Sequence, residues 1–321
     1  MTKKPGRFPS RASVGKALAV AALLPAVAAC SRGDATTTSS NRNNGAPSAY
    51  ELANATYAGI VDEPVTLIEG RWEGTPYVEG GVSRPSVGLV EHGTMTGDLD
   101  GDGTDESAAL LWESSGGSGT RLYLAAMDRR EGDIKNVGTV LIGDRVQVRN
   151  GSIDGNLIVL SVVRAGPEDA ACCPTETALV SWEFDGNGLN PVEDRVTGTL
   201  SLTDLEGTEW VLLELGRRTT PPDGVTVTFV VRDERASGYS GCNTYFAGVS
   251  GPTPGELHFN GMGATRAVCA EPTMEFERQY LKILATAAAY DFLAGHLVLT
   301  CQTGDGPIAL RFAPQGGEAL H

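Results

Sequence analysis

The chain has 321 residues, of which 41% are hydrophobic, 20% charged and 6% aromatic. That is apolar enough for a packed core and longer than one ordinary domain, so two domains are expected, and collagen, coiled-coil and wholly disordered organisations are excluded. The formal charge is -15, and the basic residues of the first 29 (Lys3, Lys4, Arg7, Arg11 and Lys16) have no acid among them, so the remainder is more acidic still. Such a body is repelled by phosphate backbones, which argues against nucleic acid as a partner.

Residues 1–29 have the form of a signal segment. A basic stretch ends at Lys16 and a run of small and apolar residues follows over 17–29. The run is too short to span a bilayer, which needs about 20 apolar residues, and it fits the hydrophobic region of a secretory signal. It ends Val27-Ala28-Ala29-Cys30, which resembles the bacterial lipobox. The resemblance implies cleavage before Cys30, a diacylglycerol on its thiol and an acyl chain on its new amine. Several chains matter, because each buried methylene adds about 0.8 kcal/mol and one chain alone holds weakly. Ser31 follows, where an aspartate would favour the inner membrane, so the resemblance points to an outer-membrane anchor facing the periplasm. An ordinary signal peptide with a chance cysteine is the alternative. Residues 30–48 lack large apolar side chains beyond the cysteine and read as a flexible spacer.

Residues 49–195 are expected to form an all-β domain. Strand-like runs occur at 65–68, 87–90, 107–112, 122–126, 139–142, 145–149, 157–164 and 177–184, separated by Gly, Asp and Asn. Asp154-Gly155-Asn156 and Asp185-Gly186-Asn187-Gly188 have the composition of hairpin turns. No amphipathic helix of ten or more residues is evident, so an antiparallel sheet, sandwich or open barrel follows.

Within this region Gly97-Asp98-Leu99-Asp100-Gly101-Asp102-Gly103-Thr104-Asp105-Glu106 alternates acids in a turn-forming sequence. Calcium is a hard cation that takes six to eight oxygens, and carboxylates spaced this way can converge on one. The candidate ligands are Asp98, Asp100, Asp102, Thr104 and Glu106. The pattern is similar to the calcium loops of EF-hand, dockerin and integrin propeller proteins. It departs from the EF-hand in having Ala109 at position 12 and a strand-like segment after the loop. An acidic, solvated hairpin turn is the bland alternative. Farther on, Cys172 and Cys173 are adjacent. They can bond to each other, bond elsewhere or bind metal, although no zinc-type spacing lies nearby. The motifs GDLDGDG (97–103), Gly116-Gly117-Ser118-Gly119, the segment 141–146 and CCPT (172–175) together resemble the amino-terminal region of a group of bacterial lipoproteins, a likeness that brings no chemistry with it.

Residues 200–315 read as a second domain. Leu205-Glu206-Gly207-Thr208-Glu209-Trp210 opens it, a strand is expected at 225–232, and Gly241-Cys242-Asn243 forms a turn. Further strands are expected at 257–260, 297–301 and 308–312. A helix is expected over 272–289, with Pro272 in its first turn, Glu275 and Glu277 complementing its dipole, and Phe276, Tyr280, Leu281, Leu284 and Ala288 on one face. The Leu-x-Gly-Thr-x-Trp opening, the Gly-Cys-Asn turn, Thr265-x-x-x-Cys269, and Met274 with Glu277 occur in the order found in the META domain, also present in heat-inducible lipoproteins of the HslJ type. The resemblance implies an α+β fold, a curved antiparallel sheet carrying one helix, and a role in envelope stress. It assigns no catalytic residues. Cys242 and Cys269 are disulfide candidates, with two buried thiols as the alternative, and Cys301 is the spare cysteine.

The four histidines (His92, His258, His296 and His321) form no H-E-x-x-H zinc motif, and neither a Gly-x-Ser-x-Gly elbow nor a P-loop occurs. The expectation is a non-enzymatic cell-envelope lipoprotein, held in the membrane by its lipid and binding an envelope protein. The rivals are an inhibitor of a periplasmic or secreted hydrolase such as lysozyme or a protease, and a carboxylate-dependent hydrolase.

Overall fold

Short β-forming runs broken by Gly- and Asp-rich turns fold into a succession of antiparallel meanders. The structure, a computed structural model, describes residues 45–117, 119–170 and 172–316. The signal segment, Cys30, most of the spacer and His321 lie outside the described residues. Among the described residues no helix is long and apolar enough to cross a membrane.

A single helical turn, α1 (Ala49–Leu52), is capped by Ser48, with Glu51 closing the capping box. Strands β1 (Thr56–Tyr57) and β2 (Val65–Thr66) pair as a small ribbon. Next, β3 (Arg71–Glu73), β4 (Ser86–Gly97), β5 (Glu106–Ser114), β6 (Arg121–Arg130) and β7 (Asp133–Asp144) form a five-stranded sheet in chain order. A four-stranded sheet follows, made by β8 (Gln147–Asp154), β9 (Leu157–Arg164), β10 (Glu176–Phe184) and β11 (Leu189–Thr199). The two expected hairpin turns join β8 to β9 and β10 to β11.

Strand β5 shows why the run Ala108-Ala109-Leu110-Leu111 is apolar throughout. Successive strand residues point to opposite faces, and here both faces are covered. Ala109 and Leu111 pack with Tyr123, Ala125, Leu52 and Tyr57. Ala108 and Leu110 pack with Leu124, and with Ile158, Leu160 and Val180 of the second sheet. The five-stranded sheet is thus sandwiched between the chain's folded start and the second sheet.

The remaining chain builds β12 (Glu209–Leu215), β13 (Thr228–Arg232), β14 (Arg235–Tyr239), β15 (Thr244–Ser250), β16 (His258–Ala264), helix α2 (Glu271–Leu284), β17 (Ala287–Leu293), β18 (His296–Thr303) and β19 (Gly306–Pro314). They form one eight-stranded sheet in the order β16-β15-β14-β13-β12-β19-β18-β17. Helix α2 buries Phe276, Tyr280, Ile283 and Leu284 in a core with Phe229, Tyr245, Leu299 and Phe312. Pro272 lies in its first turn, as expected.

Several elements differ from expectation. The helix stops at Leu284 instead of running to 289, because Ala287 already pairs with Cys301 of β18. Glu277 does not serve the helix dipole from the surface; it turns inward. Strands β1, β3, β11, β12, β14, β15 and β17 lie outside the expected runs. Strand β11 is exposed along almost its whole length, so its sequence LNPVEDRVTGT carries no alternating apolar signal.

The two halves meet along a polar seam. The amide of Gly295 donates to the carbonyl of Val148 at 3.0 Å. Gln147 donates to Asp291 and accepts from the Phe292 amide. Arg149 pairs with Asp204, and Arg311 with Glu91, each at 2.9 Å. Val163 of β9 packs into the core of the eight-stranded sheet, and Ala294 of the β17–β18 turn packs into that of the first half.

Candidate metal centre and the disulfide-linked turn

The acidic sequence forms the β4–β5 turn. Gly101 and Gly103 take φ values of 77° and 87°, a left-handed conformation that a Cβ disfavours. They fold the loop back so that Asp98 accepts from the amides of Gly101 (2.7 Å) and Gly103 (3.0 Å). Leu99 between the acids is fully buried and pins the turn to the core. Its amide donates to Glu106 at 2.7 Å.

Carboxylate oxygens of Asp98, Asp100 and Glu106 lie within 4.8 Å of one another. Glu106 is only 1% exposed. Its burial, together with the charges of Asp100 and Asp128, pushes its carboxyl up to about 7, against the opposing pull of the Leu99 amide. An all-oxygen, anionic donor set of this kind suits a hard cation. Of the five residues singled out in the sequence, three therefore converge. Asp102 instead accepts from the amide and hydroxyl of Thr104 at 2.8 and 2.6 Å, and those hydrogen bonds hold its carboxyl below the ordinary range. The folded start of the chain sits beside this turn: Ser107 donates to the carbonyl of Pro47, and Arg129 pairs with Glu51.

The second constellation is the Gly241-Cys242-Asn243 turn. Cys242 and Cys269 form a disulfide with Cα atoms 6.0 Å apart. Beside it, Glu277 of α2 accepts from Ser240 Oγ (2.5 Å), the Asn243 amide (2.8 Å) and Asn243 Nδ2 (2.8 Å). Asn243 Oδ1 in turn accepts from Thr265 Oγ1 (2.8 Å) and the Ala267 amide (2.7 Å). Burial alone would raise the Glu277 carboxyl, but the hydrogen bonds from Ser240 and Asn243 hold it below the ordinary value. The Gly241-Cys242-Asn243 turn, the segment 265–269 and Glu277 therefore meet at one point, joined by these hydrogen bonds and the disulfide. This is a structural knot, since its carboxylate is already saturated with donors.

Cys172 and Cys173 form a vicinal disulfide in an exposed loop. Asp169 braces that loop by accepting from the amides of Gly166 and Thr175. Cys301 is free and buried, and burial pushes its thiol up to about 12. With both disulfides intact, a thiol reagent is expected to leave Cys301 unmodified in the native chain and to label it after unfolding in denaturant. Quantitative labelling of Cys301 before unfolding would contradict its burial. Trp182 and Trp210 are core residues, while Trp72 and Trp112 are partly buried. The seam pairs Arg149–Asp204 and Arg311–Glu91 carried no sequence signal, because their members lie far apart in the chain.

No curated protein matches the chain. Among solved structures, an NMR structure of a protein from Burkholderia xenovorans is 25% identical, over 35% of this chain and 85% of that one, with a TM-score of 0.30. Residues 203–313 match the family model of the META domain, so the segment that holds the disulfide-linked turn and α2 is a META domain.

Proposed function

We propose that the chain is a non-catalytic lipoprotein of the bacterial outer membrane, facing the periplasm, in which a META domain and a β-sheet domain together present a binding surface that supports the envelope under stress. The observation that carries this reading is the lipobox-type sequence at 27–30 ahead of a body that holds two disulfides. Disulfides form and persist outside the cytosol, and a lipid anchor needs the same export. The acidic turn supplies a calcium site from Asp98, Asp100 and Glu106, with Asp102 and Thr104 bracing the loop.

Fractionation tests the anchor. The native chain is expected in the membrane fraction with acyl chains on Cys30, and Cys30→Ser is expected to leave it. Mass spectrometry that found residues 1–29 still attached, or no lipid on Cys30, would overturn the reading. A second reading, inhibition of a secreted hydrolase, is favoured by the β3–β4 loop, where Tyr77, Val78 and Val82 are all exposed. A basic enzyme such as lysozyme would suit the acidic body. A tight complex with a hydrolase that is lost on Val82→Asp would select this alternative.

A further inference from the structure

The seam holds a histidine from each half. Between Leu89 and Thr94 strand β4 slips its register against β5, so that residues 90–93 bulge from the sheet. His92 sits in this bulge at a φ of 57°, a left-handed conformation uncommon for a residue with a Cβ. Its ring meets that of His296, the first residue of β18, with centroids 4.9 Å apart. His92 is half-exposed, and its Nε2 lies 3.5 Å from Glu91 Oε1. His296 is 4% exposed, and its Nδ1 lies 3.2 Å from the Ala294 carbonyl. Arg311 of β19 completes the group, pairing with Glu91 at 2.9 Å and with Glu214 of β12 at 3.4 Å. Farther along the seam, Arg149 pairs with Asp204, and Asp291 accepts from Gln147.

We propose that His92 and His296 form an acid-sensitive latch, which holds the two halves together while both imidazoles are neutral and lets the seam open when they take up protons. A proton on His92 is met by Glu91 and by solvent. A proton on His296 is buried beside a second imidazolium and the Arg311 guanidinium, and Glu91 is already engaged by Arg311 and His92. Burial first, then the His92 ring and Arg311, hold the His296 imidazole below its ordinary value. The closed seam therefore binds fewer protons than the open one, and its hold weakens as pH falls below about 6.5, the ordinary histidine value. The carboxylates do not produce this sign. Arg311 holds Glu91 below the ordinary carboxylate range, and burial raises Asp291, so acid favours the closed form there. The seam opens before the cores do, because each half has a core of its own while the seam is largely polar. The Nε–H groups of Arg149 and Arg311 are buried without a partner, a cost that hydration on opening removes. A cleft of about 730 Å³, lined in part by Arg149, Asp204, Phe292 and Gly295, already brings solvent to the seam's edge. The latch depends on neither the lipid anchor nor the calcium turn proposed above, so each can fail alone.

The test is hydrogen exchange of the full chain in a zwitterionic detergent with EDTA, read by mass spectrometry and expressed as protection relative to the unstructured rate, so that the intrinsic effect of pH drops out. One histidine of ordinary pKa, about 6.5, shifts an opening equilibrium by up to about thirtyfold at pH 5.0. The amides of Phe292 and Gly295 donate to Gln147 and Val148 across the seam. Peptides that cover them are expected to lose at least fivefold in protection between pH 7.5 and pH 5.0. Peptides from β5 and β13, inside the two cores, are expected to lose less than twofold. His296→Phe, which keeps an aromatic ring and removes the charge, is expected to abolish the response of the seam. His92→Gln, at the half-exposed position, is expected to reduce it at least twofold, and it decides the matter if His296→Phe does not fold. Unchanged seam protection at pH 5.0, the full loss in either variant, or an equal loss in β5 and β13 would overturn the latch.

Discussion

Glu277→Ala is expected to destabilise the META domain by about 4 kcal/mol, a figure set by the hydrogen bonds to its charge, each worth about 1.5–3 kcal/mol when a buried partner is left behind. The residue is 6% exposed. Ser240 Oγ loses least, because it also reaches the carbonyl of Asn243 at 2.7 Å. Asn243 Nδ2 keeps only a longer contact to the carbonyl of Ala267 at 3.3 Å, and the Asn243 amide loses its acceptor. At about 2–4 °C per kcal/mol, the melting temperature falls by roughly 10 °C. Glu277→Gln keeps the shape but turns an NH2 towards donors, so it is expected to recover little. The pH dependence has a definite sign. The folded carboxyl is held below its unfolded value, so its contribution is fully present above the unfolded pKa, about 4.3, and is lost as pH falls through the folded value. Thermal melts should therefore show a wild-type advantage over Glu277→Gln that is constant from pH 6 to 8 and shrinks below about pH 4. A variant melting within 2 °C of wild type at pH 7 would show that the knot is not what holds the turn to the helix.

The legible parts of this molecule were those in which local pattern and tertiary environment agree. Strands β5, β9 and β10 read directly from apolar runs, because their side chains are buried on one or both faces. The long helix was legible from the spacing of Phe276, Tyr280 and Leu284 behind Pro272, and Cys242 and Cys269, disulfide candidates in the sequence, are bonded. The pattern misled where two structures compete for one composition. The run Thr286-Ala287-Ala288-Ala289-Tyr290 continues the helical phase, yet the backbone of Thr286 accepts from Gln302 and β17 begins at Ala287. The strand wins through pairing partners far along the chain, which local propensity does not register. Strands β14 and β15 are short, contain Gly238 and Gly248, and flank the Ser240–Asn243 turn that receives Glu277, so the turn composition dominates the local signal. In the acidic loop the spacing of acids located the turn, but it did not separate carboxylates that converge from one committed to the backbone. That division depends on Asp102 capturing Thr104, a choice of rotamer.

That division yields the second large effect, a calcium-dependent rise in melting temperature that should depend on Asp98, Asp100 and Glu106 far more than on Asp102. A ligand binding only the folded state stabilises it by about 2.7 kcal/mol at one hundred times its dissociation constant, or roughly 8 °C here. Asp98→Ala is expected to abolish the response, because that side chain both faces the other acids and holds the amides of Gly101 and Gly103. Asp102→Ala is expected to keep most of it, since its carboxylate is spent on Thr104. Glu106 links the response to pH. Its carboxyl is raised to about 7 in the fold, so without calcium the folded state takes up a proton more readily than the unfolded chain. Stability then rises as pH falls from 8 towards 5, opposite in sign to the Glu277 effect. Calcium requires the ionised form, so its stabilising shift should be largest near pH 8 and fade towards pH 5. Glu106→Gln is expected to lose both the calcium shift and this pH slope while folding normally, because it relieves a buried charge. Melts that show no calcium response at millimolar concentration at pH 8 would reduce the turn to a hydrogen-bonded loop, and a full response in Asp98→Ala would move the ion elsewhere.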